Sequence, residues 1–299
     1  MKIGVVYAGG ISKCAYQLGF TKALLASVSQ EDICVCSGAS MGIFSAYALS
    51  VGKLAELEDI YESINTAKGI ELFWQVCGKR LLSRAMNSFF LPEDELKIPL
   101  CFPVASVPLL KTTYYWLYGR FNPFWKPYVV AATNFPIVCG LPKVIDKRLT
   151  LDGGAVDNIP LYPVLKCQNE FLRPEEHLDL VIVLHFHPRY DYRKEFRTDI
   201  PVLDIDVSLH NDFKKRHFDF SRDYVREMIA SSEEYGKEIC KKLFGDGRSR
   251  RSFVKKIDAV FLEEHKERQW HASADGLLTV FNTLGKALRR DSECNKKLY

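Results

Sequence analysis

The sequence predicts a three-layer α/β/α fold with a mainly parallel central sheet and a helical C-terminal appendage. Two observations carry this. The first fifty residues alternate strand and helix chemistry: apolar Ile3–Tyr7, a glycine turn, a helical face from Cys14 to Val28, apolar Ile33–Cys36, and a helix-compatible run after Gly42. Later, Leu180–Leu184 and Val202–Val207 are short continuous apolar runs of the kind that lie inside a parallel sheet, covered on both faces. Alternating β and α segments place helices on the faces of such a sheet.

The elements follow in order. Ile3–Tyr7 is a buried strand that opens into a loop at Gly9-Gly10. Ala15, Leu18, Leu25 and Val28 share one helical face. Residues 53–90 read as helical, interrupted at Gly69 and Gly78. The stretch from Pro92 to Pro127 differs in kind. It carries repeated prolines, then eight aromatics between Tyr114 and Tyr128, which form either core or the wall of an acyl-chain site. Tyr128–Asn134 has strand composition, and Leu149–Asp152 is a short strand before an Asp-Gly-Gly turn. Ser221 caps a long helix with Asp223 in its first turn, and Val225, Met228, Ile229, Ser232, Tyr235, Ile239 and Leu243 form its inner face. Residues 245–256 read as a charged loop, 258–290 as further helix, and the polar tail Arg289–Tyr299 as a frayed end.

Composition narrows the class. With 47% hydrophobic and 26% charged residues over 299 positions, the chain can bury a large core. A net charge of +4 without a long basic block argues against a nucleic-acid partner. The nine cysteines are scattered and contain no CxxC, so they read as reduced, mostly buried residues of a cytoplasmic protein. No run approaches the ~18 apolar residues of a membrane span, and the N-terminus has no signal-peptide pattern.

The chemistry concentrates at Gly38-Ala39-Ser40-Met41-Gly42, a Gly-x-Ser-x-Gly set between a strand and a helix. That is the context of a nucleophile elbow, where a sharp turn lifts a serine Oγ to the helix N-terminus. Such a serine needs a base and a site for the developing oxyanion. His185 and His187, at the end of the Leu180–Leu184 strand, would complete a Ser–Asp–His arrangement with Asp152. Gly9-Gly10 fits neither the GxGxxG nor the GxxxxGK[ST] pattern, so nucleotide binding is not expected.

Three motifs together resemble the patatin-like phospholipases. Gly9-Gly10-Ile11-Ser12-Lys13-Cys14-Ala15-Tyr16-Gln17-Leu18-Gly19 resembles their glycine-rich first loop with its further downstream glycine, Gly38–Gly42 their serine motif, and Asp152-Gly153-Gly154 their Asp-Gly-Gly/Ala. Phe218-Asp219-Phe220-Ser221, ahead of the long helix, is similar to their C-terminal region. The resemblance covers about residues 3–243 and implies a patatin-like domain over 1–243, followed by a helical extension over 244–299.

It further implies a Ser40–Asp152 dyad without histidine, in which Asp152 takes the serine proton and an acyl-enzyme forms on Ser40. Backbone amides of Gly9, Gly10 and Ile11 would form the oxyanion hole, with Lys13, Gly38, Gly42 and Gly153 supporting the site. Substrates would be acyl esters of lipids, phospholipid or acylglycerol, met with peripheral membrane contact and without metal or cofactor. The sequence departs from the family twice: Ile11 stands where the third glycine is usual, and Cys14 where glycine follows the basic residue. A β-branched residue fits poorly wherever φ must be positive. A catalytically weak lipid- or acyl-binding protein on the same fold and a Ser–Asp–His esterase therefore stay open as alternatives.

Overall fold

The computed structural model describes residues 1–64, 80–134, 142–167, 177–187, 190–194, 196–208, 220–245, 254–260 and 293–297. Expectations for 65–79, for Phe218-Asp219, for His210, His217, His265 and His271, and for most of 246–292 lie outside these residues. The strands are β1 (Ile3–Tyr7), β2 (Ile33–Gly38), β3 (Glu95–Val107), β4 (Lys111–Arg120), β5 (Lys143–Ile145), β6 (Arg148–Asp152), β7 (Leu180–His185), β8 (Val202–Asp206) and β9 (Glu293–Lys297). The helices are α1 (Cys14–Ser27), α2 (Gly42–Val51), α3 (Leu54–Ile64), α4 (Arg80–Phe89), α5 (Lys126–Ala132), α6 (Leu161–Cys167), α7 (Arg222–Phe244) and α8 over 254–260. As expected, a central sheet is flanked by helices, and its core pairings are parallel.

Sheet order runs β5-β6-β3-β2-β1-β7-β8, with β4 on β3 and β9 on β4. The parallel strands β1, β2 and β7 end level with one another, since Tyr7 pairs with both Gly38 and Leu184. In parallel α/β sheets the crevice beyond these carboxyl ends is where sites are built. Along β2, Cys36 Sγ reaches Ala46 O of α2, while the next residue, Ser37, donates from Oγ to Pro160 O just before α6. Successive strand residues face opposite ways, so α2 and α6 cover opposite faces.

One arrangement decides where the chemistry sits. β4 lies along β3 from Glu95 to Ser106, so β2 and β6 must share the other edge. They approach from opposite directions. β2 runs parallel to β3 with Ser37 opposite Cys101, and β6 runs antiparallel with Asp152 opposite Val104. Gly38 and Asp152 thus end their strands facing one another across a gap about two residues wide.

Two expectations are corrected, and a stretch with no assigned element gains one. Tyr128–Asn134, read as strand, lies mostly in the helix Lys126–Ala132. Asn122 accepts the Phe124 amide (3.0 Å) to start a helical turn, and Pro127 occupies the first turn, where its missing N–H is not needed. Val129 and Ala132 then bury one face, which outweighs the β propensity of the run. The proline-rich stretch after Pro92 forms the long hairpin β3–β4, and Tyr114, Tyr115, Trp116, Phe121 and Trp125 are core. The tail, expected to fray, contributes β9 (Glu293–Lys297), parallel to β4.

Helix α7 follows the expected inner face and lies against α1, where Ser232 Oγ donates to Tyr16 O (2.6 Å). Gly19 makes that approach possible: a Cβ there would collide with Ile229 O and lie 2.9 Å from the Glu233 amide. Gly19→Ala should therefore destabilise the fold by about 1–3 kcal/mol through overpacking, despite alanine's higher helix propensity. Urea unfolding of the two proteins checks this, and equal or greater stability of the alanine variant would refute it.

Candidate active site

Ser40 sits at the apex between β2 and α2 with φ +51. A non-glycine residue in the left-handed region carries roughly 1–2 kcal/mol of strain. The turn is held by Ala39 N–H to Tyr7 O (3.1 Å) and Gly42 N–H to Ala39 O (2.8 Å). A side chain on Gly42 would meet the carbonyl oxygens of Tyr7 and Ala8, at 2.7 and 2.6 Å, so strand and helix close only because none is present. Gly38 opposes Gly42 across the elbow. Ser40 is half-buried, open to the crevice on one side.

Asp152 ends β6 with no exposed surface. Its Oδ1 accepts the Gly154 amide (2.7 Å), which turns the chain through Gly153 against Pro103 of β3. Burial raises the carboxyl to about pH 7. The neighbouring Ser40 hydroxyl and the Gly154 amide oppose that rise only in part. Oδ2 has no hydrogen-bond partner of ordinary geometry. The carboxyl thus lies close enough to Ser40 for the hydroxyl to act on it, and its basicity is near neutrality.

The first loop lies over the elbow. A Cβ at Gly9 would fall 2.5 Å from Asn158 Oδ1 and 2.8 Å from Ser40 Cβ, so only glycine permits this approach. The Gly9 amide donates to Asn158 O (3.2 Å), and Asn158 Nδ2 donates back to Gly9 O (3.0 Å). The Gly9 amide, one of the three expected oxyanion donors with Gly10 and Ile11, thus already has a backbone acceptor. Lys13 is buried, and its amide closes the turn on Gly10 O (3.0 Å). Ile11 adopts φ +52, the region a β-branched residue resists. Cys14 is fully buried with its Sγ toward Ala8 O (3.8 Å), and burial raises the thiol far above its ordinary range, so it stays protonated.

Two residues escaped the sequence reading. Asn158 ties the first loop to the segment after β6, as just described. Gln17 of α1, also fully buried, donates to Ala8 O (2.7 Å) and Leu184 O (3.2 Å), clasping the ends of β1 and β7. Asn158 belongs to no motif, and Gln17 lies in the first-loop stretch without a role read for it.

His185 and His187 lie at and just beyond the end of β7. His187 Nε2 accepts from Asn158 Nδ2 (2.9 Å), so it meets the site through that amide. The His185 ring is buried edge-on against Tyr190 (5.0 Å between centroids). Among the described residues, no cluster of three His, Cys, Asp or Glu side chains is arranged to hold a metal ion.

Residues 5–126 match the family model described as patatin-like phospholipase. That match includes the first loop and the elbow but stops short of Asp152. No curated protein matches the chain. Among solved structures, VipD from Legionella pneumophila is 13% identical, covering 98% of this chain and 88% of its own with a TM-score of 0.39, an overlap too loose to inform the site.

Two outcomes follow from this geometry. Ile11→Gly removes a half-buried side chain worth about 1–3 kcal/mol but relieves roughly 1–2 kcal/mol of backbone strain, so unfolding free energy should fall by no more than about 2 kcal/mol. A loss above about 3 kcal/mol in chemical denaturation would show the strain to be absent. For Asp152, the folded pKa of about 7 lies above the ordinary 3.8, so the folded state holds the proton more tightly than the unfolded chain. Its contribution is most favourable below the unfolded value and declines as pH rises toward 7. Asp152→Asn, never ionised, should gain stability relative to wild type over that window, by up to about 4 kcal/mol above pH 7. Thermal unfolding at pH 5 and pH 8.5 reads the difference, and a gain confined to pH 5 would reverse the sign and refute the account.

Proposed function

We propose that this chain, similar over residues 5–126 to the patatin-like phospholipases, is a serine acyl-ester hydrolase acting on lipids through Ser40 and Asp152. The family match supports lipid acyl hydrolase activity in general; the dyad is our reading of the site. The observation that carries it is the pairing of a strained, half-buried serine with a fully buried carboxyl close enough for the serine hydroxyl to act on it.

The chemistry follows from those positions. Ionised Asp152 accepts the Ser40 proton as Oγ attacks the acyl carbonyl. The carbonyl oxygen gains charge, and the amides of Gly10 and Ile11 are the candidate donors toward it, each worth roughly 2.7–4 kcal/mol if aligned. Collapse of the tetrahedral intermediate expels the alcohol, which takes the proton from Asp152. Water then enters and attacks the acyl carbonyl while losing a proton to Asp152; collapse releases the fatty acid as Ser40 Oγ leaves and takes that proton back from Asp152. A carboxylate with a pKa near 7 is a far stronger base than an ordinary one, and water can still deprotonate it at neutral pH. Burial supplies this without a histidine. Gln17 and Asn158 hold the amide-bearing loop still, so little reorganisation accompanies charge development.

The test is labelling with a fluorophosphonate, read by intact mass. One adduct on wild type that is absent from Ser40→Ala supports the reading, and no adduct on folded wild type sinks it. Turnover of a short-chain ester should fall at least about 10³-fold in both Ser40→Ala and Asp152→Asn. His187→Gln should retain activity, because Asn158 rather than His187 touches the loop. In wild type, kcat/KM should rise with pH through a midpoint near 7 as Asp152 ionises, and a chelator should leave turnover unchanged. An acid limb centred near 4 would mean that the carboxyl is not the buried base described.

A further inference from the structure

Beyond the crevice, the edge that β3 shares with β6 continues outward into two hairpin ends that lie side by side. Val107 pairs with Leu149, so the β3–β4 turn (Pro108-Leu109-Leu110) and the β5–β6 turn (Asp146-Lys147) emerge at the same end of the sheet. Leu109 is 78% exposed, Val144 67% and Leu149 51%. Val144 pairs with Leu149 and shares its face. These two hairpin ends, 107–111 and 143–149, also carry Lys111, Lys143, Lys147 and Arg148 against one acid, Asp146. That acid is itself exposed and accepts hydrogen bonds from Tyr115 (3.1 Å) and Tyr128 (3.0 Å), so the two ends together keep a positive balance.

The apolar face does not stop at the tips. Leu151 shares the face of Leu149, and with Ala105 and Val156 it forms a small cluster separate from the main core, flanked by Val107, Leu110 and Ala155. An apolar strip therefore runs from the exposed tips to the turn that follows Asp152. Leu149 and Asp152 are three residues apart on one strand, about 10 Å.

We infer that these two hairpin ends are a docking edge for an anionic lipid surface. Leu109, Val144 and Leu149 enter the interfacial layer, while the basic side chains around them meet headgroup phosphates. Charge favours this occupant: an apolar tip ringed by lysine and arginine matches a negatively charged bilayer, whereas a second copy would bring like charges together. The outer strand β5 is three residues long and begins with Lys143, features that discourage strand addition by another chain. The orientation toward the crevice rests on the proposed lipid hydrolysis, but the docking itself does not.

The experiment is co-sedimentation of the full Ser40→Ala chain with vesicles of phosphatidylcholine alone or mixed with phosphatidylserine, so that binding is read without turnover. Binding should require phosphatidylserine and weaken with salt. The double variant Leu109→Asp/Leu149→Asp, altered only at exposed positions, should lower the partition coefficient at least about tenfold. Lys147→Asn removes one charge at a position with φ +63 that asparagine tolerates, and should lower it about fivefold. In the Ser40-containing protein, both variants should hydrolyse a soluble short-chain ester at the wild-type rate.

Undiminished vesicle binding in both variants overturns the proposal. So does a light-scattering result in which the leucine variant dissociates a dimer while wild type ignores vesicles. Retained docking with no hydrolysis of any ester would sink the catalytic reading and leave the docking edge standing.

Discussion

Everything at the site depends on two strands sharing one edge of a third. Because β4 occupies the whole of one side of β3, β2 and β6 meet end to end on the other. That meeting brings residues 40 and 152 together, although 112 positions separate them in the chain. It also buries the carboxyl. A strand ending inside a sheet, beneath a glycine-rich loop, leaves no room for water around Asp152, and the lost solvation raises its pKa. Position and basicity therefore have one structural origin.

The same crevice concentrates backbone strain. Ser40 and Ile11 both have φ near +50, and Gly9 of the first loop lies against Ser40 Cβ. Strained residues persist where their surroundings overdetermine them. Here the surroundings are specific: Ala39 and Gly42 hydrogen bonds at the elbow, the two-way Gly9–Asn158 exchange, and the Gln17 clasp on Ala8 and Leu184. Ile11 departs from glycine in side chain but keeps its amide, so the loop retains a donor where a β-branched residue is least comfortable. A first loop fixed by buried side-chain amides depends less on having glycine at every position.

Much of this was legible in the sequence for identifiable reasons. Buried parallel strands announce themselves as continuous apolar runs, and Ile3–Tyr7, Leu180–His185 and Val202–Asp206 all form as read. The inner face of α7 follows from its 3.6-residue period. The elbow is legible because glycine is needed where strand and helix backbones touch. The failures are equally physical. Tyr128–Asn134 has strand composition, and only Asn122, Pro127 and the packing of Val129 and Ala132 make it helical. The long β3–β4 hairpin hid among prolines, since Pro99 and Pro103 interrupt the usual strand pattern. Asn158 and Gln17 gave no local signal, because their partners lie 149 and 167 residues away in the chain.

By itself, then, the amino-acid sequence determined the layered α/β class, the turn that presents Ser40, and the three short motifs that mark candidate chemistry, because each follows from local periodicity or from where glycine is required. Only the tertiary structure decided how deeply Asp152 is buried, how far that burial raises its carboxyl, and which first-loop amides are bonded within the protein. Those are properties of burial and of strand register across β3, set by residues far apart in the chain. The bond from the Gly9 amide to the Asn158 carbonyl is the clearest case: no pattern within either segment encodes it.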